Sequence, residues 1–167
     1  MGTEDGERLE RWMRSWGSDV LRLCRMSLGD AQLAEDALQE TFLKVWRSLE
    51  RSPVQSEEHA KGRIFRTAIN VCRDMRRSAW WRHVDTRVAL EDLPPPLLAV
   101  EDESRELFAL VAALPEKLRQ PVLLHDLSGL TLEECAKALG ISRPTLSKRL
   151  REAYARLAVE WRGEEEP

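Results

Sequence analysis

No apolar run in the 167 residues approaches the roughly 20 that a membrane-spanning helix needs, so membrane insertion is not expected. The opening stretch MGTEDGERLERW is too acidic and polar for a signal peptide. Cysteine is scarce: Cys24, Cys72 and Cys135 lie far apart, odd in number, with no CxxC spacing and no neighbouring histidine. That argues against a zinc site or a disulfide framework, leaves buried thiols as the plain reading, and fits a reducing cytoplasm. No stretch alternates apolar and polar residues as a half-buried strand would, and no internal repeat is visible. Nor is there a nucleophile paired with a base, or a phosphate-binding loop, so neither enzymatic chemistry nor a cofactor is expected.

What is present is apolar residues in quantity and charge in blocks. The hydrophobic fraction, 43%, is ample for packed cores, and the length fits one domain or two small ones. The formal charge of −3 is unremarkable; its distribution is not. From Lys61 to Arg87 the chain carries eight lysines and arginines against only Asp74 and Asp85. The stretch LEDLPPPLLAVEDESRE then turns acidic and proline-rich, and Arg143 to Arg156 is basic again. Two basic segments with an acidic spacer between them point to two binding surfaces on two helical units.

Helix punctuation agrees with that division. A first helix is predicted from about Glu4 to Met26, ending near Gly29. Asp30 can cap a second, with Leu33, Ala37, Leu38, Thr41, Phe42, Val45 and Leu49 at helical spacing and Pro53 marking its end. Ser56 can open a third, whose buried stripe is Ala60, Ile64, Ala68, Cys72 and Met75. Beyond the spacer, Ser104 opens a helix closing at Leu114. Pro115 suits the first turn of the next, which stops at Gly129 and should kink at Pro121, where a backbone donor is missing. The chain reads as all-α: two small helical domains, residues 1–84 and 104–163, joined by the acidic, proline-rich linker 85–103.

The C-terminal punctuation is the most specific. In TLEE, Thr131 and Glu134 can satisfy each other's backbone donors as a capping box. Gly140 can take the left-handed conformation after the short helix that follows, and Ser142 caps the next, with Pro144 tolerated in its first turn. In ISRPTLSKRLREAYARL, Leu146, Leu150, Ala153 and Leu157 share one stripe, while Lys148 and Arg151 stand opposite it. A short helix, a tight glycine turn and a second helix with a basic outer face describe a helix-turn-helix. Ala136, Gly140 and Leu146 have the spacing of that motif. An ordinary helical hairpin with a solvated basic face is the bland alternative; agreement of cap, turn and stripe favours DNA binding.

The segments AEDALQETFLKVWRSL (34–49), IFRTAINVCRDMRR (64–77) and ALPEKLRQPVLLHDLSGLTLEECAKALGISRPTLSKRL (113–150) together resemble the extracytoplasmic-function sigma factors of bacteria, the small group that keeps only two conserved sigma domains. The likeness runs from about Leu21 to Leu157, with the motifs in family order. It implies core RNA polymerase and promoter DNA as partners, and an anti-sigma protein as a further one.

Taken motif by motif, the resemblance gives the residues roles. In the first segment Glu35, Asp36, Gln39 and Glu40 form a polar ridge opposite the Phe42 stripe; without a Glu-x-x-His partner a metal-carboxylate bundle does not follow, and a solvated acidic face is the default. The resemblance makes Asp36, Gln39, Glu40 and Trp46 the surface that docks on the polymerase clamp. The second segment sets Arg66, Arg73, Arg76 and Arg77 beside Trp80 and Trp81, and cations interleaved with aromatics are how single strands are held. By resemblance it melts and reads the −10 element, with an unstacked base captured near Asn70; a helix asparagine bonded to a neighbouring loop is the plainer reading. Arg63 departs from the aromatic usual in the family. In the linker, Glu91, Asp92, Glu101 and Asp102 would lie along the polymerase cleft; the plainer reading is a tether stiffened by Pro94 to Pro96.

In the third segment the recognition helix would face the major groove of the −35 element. Lys148 and Arg151 are best aimed, flanked by Ser147 and Glu152. Lysine or arginine reads guanine edges, and glutamate accepts from cytosine N4. Arg143, Arg149 and Arg156 hold phosphates, which position without specifying. Family members often carry a basic residue where Ser147 and Glu152 stand, which points to a different preferred −35 sequence. The expected function is therefore promoter-directed initiation with core polymerase. A stand-alone helix-turn-helix regulator is the runner-up, and a helical interaction module such as a sigma decoy the third reading.

Overall fold

Asp30, Ser56, Thr131 and Ser142 each close the first turn of a helix with a side-chain oxygen. In the computed structural model, which describes residues 2–78 and 102–165 (side chains to 78 and from 106 to 159), Asp30 Oδ1 accepts from Leu33 N at 2.8 Å and Ser56 Oγ from His59 N at 3.0 Å. Ser142 Oγ accepts from Thr145 N at 3.3 Å. Thr131 and Glu134 form the reciprocal box, with Glu134 N donating to Thr131 Oγ1 (3.1 Å) and Thr131 N to Glu134 Oε1 (2.8 Å). Each bond satisfies a donor that the helix itself leaves open.

The described residues form helices and no strand. Three make the first lobe: α1 (Thr3–Leu28), α2 (Ala31–Ser48) and α3 (Glu57–Arg77). Their apolar faces meet on Trp12, Leu23, Met26, Phe42, Ile64, Phe65 and Ile69, all buried. Each such side chain contributes about 1.5–3 kcal/mol by leaving water. The start of α3 is locked to α1 by one carboxylate. Glu57 accepts from Trp12 Nε1 at 3.1 Å and from Arg11 Nη2 at 2.8 Å, and the Arg11 guanidinium holds its carboxyl below the usual range. Gly29 ends α1 in the left-handed conformation, φ 72°, as a turn of this kind requires.

The second lobe comprises α4 (Asp102–Ala112), α5 (Glu116–Val122), α6 (Leu132–Leu139) and α7 (Arg143–Glu165). Three details differ from the sequence expectation. First, α4 opens two residues before Ser104 and closes at Ala112, two residues short of Leu114. Second, Pro115 caps α5 from outside it, with ψ 146°, rather than standing in its first turn. Third, the helix continues past Pro121 as expected, but it widens beyond the proline into a π-helical turn, Leu123–Leu127, in which Ser128 N bonds Leu123 O at 2.9 Å. Proline supplies no N–H to the turn before it, and a wider turn is one way for a helix to continue.

The lobes touch. α3 packs along α6, and α1 reaches α5 and the π-turn. Arg119 Nη2 donates to Ser27 O at 3.5 Å, and Arg76 Nη1 meets Glu116 Oε2 at 2.7 Å. All three cysteines are free and buried, which matches the plain reading of them. The hydrogen bond with Cys72, then burial, raises the Cys24 thiol well above its ordinary range; burial pushes Cys135 up to about 12. Both therefore stay protonated and unreactive at neutral pH.

Thr131→Ala is expected to cost about 1 kcal/mol, because it removes the hydroxyl that accepts from Glu134 N and leaves that donor of the first turn without its cap. Urea unfolding measures it; a midpoint unchanged from the parent would show that the box contributes nothing.

Candidate nucleic-acid interface

The helix-turn-helix is built as its residues dictate. Gly140 lies at φ 67°, where a Cβ would be strained, and Ile141 N returns to Ala136 O at 3.1 Å to close the end of α6. Leu146, Leu150 and Ala153 are buried and Leu157 half-buried, so α7 rests on the lobe by the stripe its spacing predicts. Lys148, Arg151, Glu152 and Arg143 are exposed on the remaining surface, and Ser147 and Arg149 are half-buried. Glu152 accepts from Arg156 Nη2 at 3.4 Å, one turn along. The sequence reading missed Tyr154. Its hydroxyl donates to Asp126 Oδ2 at 2.8 Å and ties α7 to the π-turn. Burial, then the Asp126 bond, raises the phenol above its ordinary range, so it remains a donor.

On the first lobe the structure sorts the expected residues of α3 into three places. Asn70 is exposed and lines an open basin of about 450 Å³ with Lys44, Thr67, Arg73, Asp74 and Arg77. Lys44, from α2, joins this basin without any signal in the local sequence. Arg66 instead borders the groove between α3 and α6, with Glu133, Glu134 and Lys137 across from it. Arg76 is turned to the second lobe, 9% exposed, in its pair with Glu116. Trp80 and Trp81 lie outside the described residues, as do Glu91, Asp92 and Glu101 of the linker; Asp102 begins α4. Arg63, the departure from family habit, is a staple. It donates to Ser52 O, to Ser52 Oγ (2.9 Å) and to Ser48 Oγ (3.3 Å), holding the turn between α2 and α3.

A third surface lies on α2. Asp36 and Gln39 are exposed, Glu40 and Trp46 half-buried. Gln39 and Trp46 border an apolar hollow of about 460 Å³ that also takes in Leu9, Met13, Phe42 and Leu43. Met13 and Leu43 are 47% and 42% exposed, large for apolar side chains. Sequence spacing did not show them as part of this face, because Met13 arrives from α1. Among the described residues no group of His, Cys, Asp and Glu is placed to hold a metal, and no helix is long and apolar enough to cross a membrane.

A helix-turn-helix with a basic outer face on one lobe, a cationic basin on the other and an apolar hollow edged by polar residues are the surfaces of a nucleic-acid-binding class of protein. Its family is shown by comparison: residues 12–82 match the model for sigma-70 region 2 and residues 104–157 that for sigma-70 region 4. The chain belongs to the sigma-70 family, as a sigma factor of the extracytoplasmic-function type, the proteins that direct RNA polymerase to promoters. It is 34% identical over 140 residues to the RNA polymerase sigma factor CarQ of Myxococcus xanthus, covering 81% of this chain and 78% of that one. It is 29% identical over 158 residues to the ECF RNA polymerase sigma factor SigE of Mycolicibacterium smegmatis, covering 89% of this chain and 60% of that protein's length. The sigma factor RpoE of Bartonella quintana, solved with the anti-sigma factor NepR, shares the fold: TM-score 0.62, 17% identity, 89% of this chain and 94% of that one.

Proposed function

We propose that this sigma factor divides promoter recognition between its lobes and joins polymerase through α2. The observation that carries the reading is the separation of its surfaces: Lys148 and Arg151 stand free on the recognition helix, while Asn70 sits in a cationic basin on the other lobe. A helix of this kind fits the major groove of an intact −35 duplex. The basin, with Arg73, Arg77 and Lys44 around an amide, suits an unstacked base and its phosphates at −10. The linker that begins at residue 85 and ends before α4 at Asp102 would tether the lobes, and polymerase supplies the chemistry in the cytoplasm. Run-off transcription with core polymerase on a promoter library tests the whole reading. Specific start sites that require this chain support it; transcripts that do not depend on the chain overturn it.

The α2 face is proposed as the clamp contact, its polar ridge giving register and its apolar hollow giving affinity. Asp36→Arg with Gln39→Ala is expected to weaken core binding at least roughly tenfold while the fold survives, since both side chains are exposed. RpoE is solved with an anti-sigma factor, and we place such a partner on this same face, in competition with polymerase. A pull-down with core and with any co-purified inhibitor reads both effects. Core binding equal to the parent's would remove the clamp assignment, and a loss confined to core would remove the shared face.

A further inference from the structure

Between the lobes lies an open cleft of about 740 Å³, walled by the end of α3, by the junction of α4 with α5, and by Leu139 and Arg149 from the helix-turn-helix. Among the described residues six cationic side chains line it: Arg73, Arg76, Arg77, Lys117, Arg119 and Arg149. Among the described residues they face one carboxylate, Glu116, which already holds Arg76.

Arg119 makes this more than a basic surface. It is 3% exposed, and its Nη1 donates to the carbonyls of Ala112 (2.9 Å) and Leu114 (3.2 Å). Those acceptors, with Ser27 O, are neutral dipoles, so they satisfy hydrogen bonds without cancelling the charge. Its Nε is buried and has no partner among the described residues. Burial first, then the neighbouring Arg76 guanidinium, pushes its pKa down to about 10, which leaves it charged at neutral pH. A cation kept out of water beside a second cation is costly, and it strengthens the attraction for any anion that enters. Guanidinium forks match phosphate oxygens two at a time, and five of the six cations are arginines. The cavity is also larger than one phosphate needs.

We propose that the interlobe cleft binds a compact polyphosphate anion, a run of linked phosphates that is either free or the tail of a nucleotide. Bound there, it would hold α3 of one lobe against α5 and α7 of the other. Arg73 and Arg77 also border the Asn70 basin, so the anion and a −10 single strand would compete for them. Only that last consequence rests on the promoter reading.

Calorimetry on the full chain, without DNA or polymerase, tests the site. Inorganic triphosphate and adenosine triphosphate are titrated at matched ionic strength, against the parent, Lys117→Glu and Lys137→Glu. Lys117 is exposed in the cleft; Lys137 lies outside it and changes net charge equally. One saturable site is expected, weakened roughly tenfold or more by Lys117→Glu and less than about twofold by Lys137→Glu. Lys117→Gln, with helix content checked by circular dichroism, gives a milder version should the reversal disturb folding. Equal affinity for the two ligands assigns the phosphate run alone, and tighter adenosine triphosphate assigns a nucleotide. Equal weakening by both reversals, no saturation, or binding of single-stranded oligonucleotide but of neither small anion would overturn the proposal.

Discussion

Arg73→Ala with Arg77→Ala is expected to cripple transcription from a fully paired promoter and to recover much of it on a template already unpaired across −10. Both side chains border the basin that holds Asn70, the proposed seat of an unstacked −10 base. Unpairing costs a few kcal/mol, and a preformed bubble removes that cost from the protein. On the proposed division α7 reads intact duplex, so a bubble at −10 would offer it nothing. Lys148→Ala or Arg151→Ala should each cost about 1–3 kcal/mol, a loss of roughly five- to 150-fold, and should relax preference at −35 base pairs. Arg76 is left out of the first set because its pair with Glu116 makes its removal a change in lobe packing as well. Run-off assays of both sets on paired and pre-melted templates decide the matter. Equal rescue of the two, or rescue of neither, would sink the division between lobes.

Free chain should bind promoter duplex weakly, and the complex with core polymerase should bind on the order of a thousandfold more tightly. Three features lead there. The net charge is −3, so long-range attraction to DNA is slight. The basic surfaces are small and lie on separate lobes. In the closed arrangement, moreover, Arg76 and Arg149 line the interlobe cleft instead of a common DNA face. Polymerase would supply both the additional contacts and the lobe spacing a promoter demands. Fluorescence anisotropy with labelled duplex, with and without core, gives the ratio. Tight, specific binding by the isolated chain as a symmetric dimer would instead favour a stand-alone regulator.

Some of this was legible in the chain alone because its physics is local. A cap bonds a donor two or three residues on, so Asp30, Ser56, Thr131 with Glu134, and Ser142 announce helix starts in any context. Helical periodicity fixes which side of α7 is free, and with it Lys148 and Arg151 as exposed. Gly140 after the α6 stripe gives the turn. Proline was less decisive: Pro121 marks a missing donor, but the packing around it decides between a break and the π-turn found.

The rest required the tertiary structure, because it depends on which helix lies beside which. Arg63 sits in the same basic run as Arg73, yet it is consumed in holding Ser48 and Ser52. Lys44 joins Asn70, and Met13 joins Leu43, only because α2 packs between its neighbours in this register. Glu116 reaches Arg76 across forty positions, and Arg119 reaches Ser27 across ninety-two. Periodicity can say that a side chain is exposed on its own helix. It carries no term for the partner that another helix brings to it, and here that partner decides which arginines border the basin, which brace the fold and which line the cleft between the lobes.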